Sequence, residues 1–130
     1  MSAWGTGNFE NDNVMDWVPE LKTLAPADLA KILEEAADSA EYLESPAACV
    51  ALGAAEVVAA LNGSPAVSAP KEVDAWVKQH PQAPTAELKD AALRATDRVR
   101  RNSELKDLWM EADGLSEWIE VLKDLQARLG

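Results

Sequence analysis

One cysteine, one histidine, one tyrosine and one phenylalanine occur in 130 residues, and this scarcity excludes several chemistries at once. A single thiol, Cys49, can form neither an internal disulfide nor a structural zinc site built on several thiolates. Set in an alanine-rich stretch, it reads as a small buried hydrophobe and not as a nucleophile. The lone imidazole, His80, stands just before Pro81 at a helix end, where capping or solvation is its ordinary role. Long hydrophobic runs are missing as well. The least charged stretch, Ser45 to Leu61, falls short of about 18 uninterrupted apolar residues and contains Glu56, so it cannot span a bilayer. With neither a basic start nor an apolar signal core at the N-terminus, the expectation is a cytoplasmic protein without a membrane partner.

Positive charge is the next shortage. The net charge is −11, and it is uneven: residues 1–69 carry eleven acids against Lys22 and Lys31, a net −9, whereas residues 70–130 carry twelve acids against ten bases, a net −2. Arg94, Arg98, Arg100 and Arg101 form the one basic patch, near a helix C-terminus where cations stabilise the helix dipole. It is too small and too surrounded by acids for a nucleic-acid site. An acidic surface of this kind favours a basic protein partner, beside its general effect on solubility.

What is present is helical periodicity. Asn11 can cap a helix over Asp12 to about Leu21 that gathers Val14, Trp17, Val18 and Leu21 on one arc, with a kink or early break expected at Pro19. A second helix, from near Pro26 to about Leu43, buries Leu29, Ile32, Leu33, Ala36 and Ala40 and turns its acids outward. A third begins at Ser45-Pro46 and ends at Asn62-Gly63; apolar on nearly every side, it should be central. The loop Ser64 to Pro70 leads to a short helix, about Lys71 to Gln79, presenting Val73, Trp76 and Val77. Thr85 caps a helix to about Arg101 with Leu88, Ala91, Ala92, Ala95 and Val99 inward. Another, from Asn102-Ser103 to about Ala112, buries Leu105, Leu108 and Trp109 and is ended by Gly114. The last spaces Leu115, Trp118, Leu122, Leu125 and Leu129 by alternating threes and fours. The fold class is therefore all-α: residues 1–130 as a single helical domain, a compact bundle of six to seven helices with an extended N-terminal segment packed on it.

That segment is the most distinctive part. Ala3-Trp4-Gly5-Thr6-Gly7-Asn8-Phe9-Glu10-Asn11-Asp12, followed by Asp16-Trp17, resembles the opening of a family of small bacterial proteins catalogued as a domain of unknown function. The similarity continues through Glu41-Tyr42-Leu43-Glu44, through Ala54 to Leu61, and through Asn102-Ser103-Glu104-Leu105 to Trp109 and Trp118. The resemblance implies a single bacterial domain and brings no activity, cofactor or site residue with it. Physically, Gly5 and Gly7 permit positive φ, so the chain can turn tightly and set Trp4 and Phe9 as an aromatic plug on the helices. Gly-Thr-Gly is not a phosphate loop, because neither a lysine nor a preceding strand accompanies it. Asn8, Glu10 and Asp12 alternate as in a calcium loop, but Asn13 occupies the glycine position and no closing glutamate follows. Asp12 and Asp16, one turn apart, keep open the chelation of a hard cation.

Two kinds of function remain. The first is a protein-binding module, inhibitor-like or immunity-like, that docks a basic partner on Asp12, Asp16, Glu20, Glu34, Glu35, Asp38 and Glu41. The second is a small enzyme or a ligand- or metal-binding protein with its site between the N-terminal segment and the helix carrying Glu56. A carboxylate deep in an apolar helix must be paired, protonated or open to a groove, and Arg94 or Arg98 is the expected partner. With no carboxylate dyad evident, no catalytic residue, cofactor or metal ligand is assigned. The five tryptophans read as core and plug, and the chain as a monomer or weak homodimer.

Overall fold

A computed structural model describes residues 3–130. Among them seven α-helices occur, α1 Asp12–Trp17, α2 Pro26–Ala37, α3 Ser45–Leu61, α4 Lys71–Gln79, α5 Ala86–Arg101, α6 Glu104–Glu111 and α7 Leu115–Leu129, and no strand beyond one isolated bridge between Ala3 and Asn11. The chain is all-α, as its periodicity predicts. None of these helices is long and apolar enough to cross a membrane.

The centre is α3. From Ala51 to Ala60 every residue is buried, and α1, α2, α4, α5, α6 and α7 all pack against it. Small side chains permit that crowding, and at Gly53 even a methyl group is excluded: a Cβ there would collide with Val14 Cγ2 of α1. The helix ends at Asn62 and turns through Gly63, whose φ of +87° lies in the left-handed region that glycine enters without a Cβ penalty.

The remaining helices start at side-chain caps where the sequence offers them. Asn11 Oδ1 accepts from Val14 N at 2.9 Å, Thr85 Oγ1 from Leu88 N at 3.1 Å, and Ser103 Oγ from Lys106 N at 3.1 Å. Each bond satisfies an amide that the first helical turn leaves open. Pro19 breaks α1 as expected. The chain tightens at Val18 into a 3₁₀ turn through Thr23, yet Val14, Trp17, Val18 and Leu21 stay buried.

Three expectations need correction. The second helix stops at Ala37, not Leu43, and Ala40 is exposed. Arg98 of α5 explains this, because its guanidinium donates to the carbonyls of Ser39 at 2.6 Å and Glu41 at 2.8 Å, and that requires an open turn, not another helical turn. In α6 only Leu105 is fully buried, while Leu108 and Trp109 are half-buried. After α6 the left-handed position falls on Asp113, with φ 61°, and Gly114 is instead needed for space, since a Cβ would stand 2.8 Å from the Trp109 ring. The predicted stripe of α7 is seated as written, with Trp118, Leu122, Leu125 and Leu129 in the core and Leu115 at its edge.

Candidate functional site

The N-terminal segment is a self-tied loop. Trp4 N donates to Glu10 O and Glu10 N to Gly7 O, both at 3.0 Å, and Gly7 N donates to Glu10 Oε1 at 2.9 Å. Its glycines serve a purpose other than positive φ, which among the described glycines only Gly63 shows. A Cβ on Gly5 or Gly7 would run into the Glu10 carboxylate, so both residues make room for that side chain. Only half of the expected aromatic plug exists. Phe9 is buried, whereas Trp4 is 60% exposed.

Asn8 carries the loop into the core. Its Nδ2 donates to Glu56 Oε2 at 2.7 Å, and its buried Oδ1 has no partner among the described residues. Glu56 is buried and ionically paired, but its cation is Arg128 of α7 and not Arg94 or Arg98. Arg128 Nη1 reaches Oε1 at 2.8 Å and Nη2 reaches Oε2 at 2.9 Å. This two-pronged geometry matches guanidinium to carboxylate. Arg128 also donates to Asp124 and to Ser64 O, and its own carbonyl accepts from Asn62 Nδ2. The guanidinium pKa is raised accordingly, chiefly by the bond to Glu56. The arginines expected for this role are occupied elsewhere: Arg94 by Asp90 and Asp38, each at 2.9 Å, and Arg98 by the carbonyls of Ser39, Glu41 and Asn102.

Beneath the N-terminal loop lies a cavity of only about 20 Å³, walled by Asn8, Asn11, Asn13, Ser45, Cys49 and Trp118 among others. That volume holds about one water. Cys49 borders it with a thiol whose pKa burial pushes up, against smaller opposing effects of hydrogen bonds with Asn13 and Ser45.

All the acids expected to dock a partner, Asp12, Asp16, Glu20, Glu34, Glu35, Asp38 and Glu41, are exposed. Glu35 and Glu41 border a cleft of about 410 Å³ between α2 and the start of α3, floored by Ile32, Ala36, Leu43 and Val50. Asp38 stands at the adjoining turn, held by Arg94. Asp12, Asp16 and Glu20 belong to α1 and the 3₁₀ turn, neither of which borders that cleft. Two rim residues escaped the sequence reading, Glu44 and Tyr42. Both lie in the stretch Glu41-Tyr42-Leu43-Glu44, where helical periodicity predicts a helix end and the structure forms an open turn. Tyr42 is 54% exposed, and its hydroxyl donates to Asp107 at 2.5 Å. That bond, reinforced by the charges of Asp107, Glu104 and Glu111, pushes the phenol pKa up to about 12.

The predicted basic patch is largely neutralised from within, for Asp97 binds Arg100 at 2.5 Å and Arg101 at 3.0 Å, and these cations hold its carboxyl below the usual range. No group of three or more His, Cys, Asp and Glu side chains able to hold a metal occurs among the described residues.

An all-α bundle wrapped around one apolar helix and closed by a glycine-spaced loop defines a small helical domain. The chain belongs to the family described as domain of unknown function DUF4259, whose model matches residues 2–121. No curated protein and no solved structure matches it.

Proposed function

We propose that the chain is a bacterial cytoplasmic protein-binding module of the inhibitor or immunity type, docking a basic segment of another protein in the cleft between α2 and α3. The observation that carries this reading is the pairing of an apolar floor, Ile32, Ala36, Leu43 and Val50, with a rim of Glu35, Glu41 and Glu44. None of these three glutamates has a salt-bridge partner among the described residues. Such a cleft suits an amphipathic helix whose apolar stripe is flanked by lysine or arginine. The rim charges would act mainly on association rate and specificity. Asp12, Asp16, Glu20 and Glu34 lie outside the cleft and add to the long-range field. Less supports an enzyme or ligand site beside Glu56: both carboxylate oxygens are engaged, and the neighbouring cavity holds about one water.

The test is affinity capture from the source cell's lysate at low and high salt, using the wild-type chain and an E35K/E41K/E44K variant in parallel. Expected is a basic protein recovered by the wild type at low salt, lost at high salt, and absent with the variant. Equal recovery by both chains, or no partner at either salt, would sink the reading.

A further inference from the structure

The turn between α4 and α5 borders a second cleft, about 490 Å³, at the opposite end of α2 from the acidic one. Its volume lies within the range of small-molecule sites, roughly 300–1,000 Å³. The walls are mainly apolar, Ala27, Ala30, Leu61 and Leu88 from three helices with Pro81 and Pro84 fixing the backbone of the turn, and Gln79, Gln82, Thr85 and Glu87 supply a polar border.

Into this apolar surround the fold sets its one histidine under two constraints. His80 Nδ1 lies 2.9 Å from the carbonyl of Trp76, and its ring stacks on the Trp76 indole at 4.3 Å between centroids, 28° from parallel. Trp76 is itself immobilised, 2% exposed and with Nε1 donating to Leu24 O at 2.8 Å. A carbonyl only accepts, so Nδ1 carries the proton. In the neutral ring Nε2 is then a bare acceptor. It makes no hydrogen bond among the described residues. A helix-end cap needs only Nδ1, and the stack and the cleft go unexplained by that role.

We infer that this cleft binds a small uncharged aromatic molecule carrying one N–H or O–H donor, which His80 Nε2 accepts while Leu61, Leu88 and the prolines enclose the ring. Glu87 is the one formally charged side chain that borders the cleft. Together with the net charge of −11 it disfavours anions, and the apolar walls disfavour a desolvated cation. The inference is independent of the docking reading, which concerns the other end of α2.

The experiment is a titration at pH 8 of the full chain with indole, and with benzofuran as the near-isostere lacking the N–H, followed by NMR of the His80 ring and of the Leu61 and Leu88 methyls. Saturable shifts at all three with indole, and binding of benzofuran weaker by about three- to tenfold, are expected for one lost hydrogen bond. H80F, which keeps a ring to stack on Trp76, should weaken indole by a similar factor and abolish the preference over benzofuran. A27W, at an exposed position on the cleft wall, should block both compounds while leaving the melting curve unchanged. Equal affinity for indole and benzofuran, shifts confined to other residues, or no saturation at millimolar indole would overturn the inference. So would N-acetyl-tryptophanamide binding at least about tenfold tighter than indole, since that would mark a pocket for a partner's side chain.

Discussion

Val14 of α1 occupies the space in which a side chain on Gly53 of α3 would stand, so the two helices meet with backbone and isopropyl group in direct contact. Both residues are fully enclosed, and the Trp17 ring closes the same contact at 3.5 Å from that Cβ position. The G53A variant should lose about 1–3 kcal/mol by overpacking. Urea denaturation measures it, and V14A/G53A should be less destabilised than the two single losses combined, by about 1 kcal/mol of coupling. A G53A chain as stable as wild type would mean that α1 can shift freely on α3.

The Glu56–Arg128 pair gives a second expectation. Removing the cation alone leaves a carboxylate in the core, so R128A should cost about 3–5 kcal/mol in chemical denaturation. E56L/R128M replaces both partners with apolar groups and should recover more than half of that loss. Equal destabilisation of the two variants would show that the pair, together with the Asn8 bond it anchors, contributes more than its desolvation costs.

Tyr42 is the only tyrosine, so its ionisation can be followed directly by ultraviolet absorbance. The midpoint should lie near 12, and D107N should bring it back toward the ordinary value of 10. The sign follows from linkage. A group whose pKa is raised on folding stabilises fully below its unfolded pKa, and that contribution fades as pH rises through the folded one. Loss of the Tyr42–Asp107 bond therefore belongs to the window between about 10 and 12. An unshifted midpoint would break the link between the turn after α2 and helix α6.

Cys49 should be silent toward thiol reagents in the folded protein. It is buried, and that burial holds the thiol protonated, so alkylation requires an opening of α3. A disulfide-exchange reagent should react on the order of a hundredfold or more slowly in buffer than in urea. Comparable rates would place Cys49 at the surface.

Much of this architecture was legible in the sequence because helices announce themselves locally. The spacing of Leu115, Trp118, Leu122, Leu125 and Leu129, the caps at Asn11 and Thr85, the helix start at Asn102-Ser103, and the almost uncharged run through α3 each depend on neighbours within a turn or two. What could not be read is what long-range contacts decide. The end of α2 is set by Arg98 reaching the Ser39 and Glu41 carbonyls from α5. The partner of Glu56 is Arg128, 72 positions away, and the nearer arginines were equally good candidates by composition. At the acidic cleft Glu35 and Glu41 were in view from the sequence, but Glu44 and Tyr42 were not, because helical periodicity was extended over a turn that tertiary contacts hold open. His80 was legible as a helix-end residue, whereas its stack on Trp76 and the cleft beside it depend on how α2, α3 and α5 converge.

The carboxylate of Glu56 is gripped at once by Asn8 from the opening loop and by Arg128 from α7, and Arg128 in turn holds Ser64. Segments far apart along the chain thus share one anchor, and none can detach without exposing the others' loose ends. The bundle should therefore not fray from either flank: amide hydrogens of residues 8–11, of α3 and of the last turn of α7 should exchange through a common opening, as a single cooperative unit.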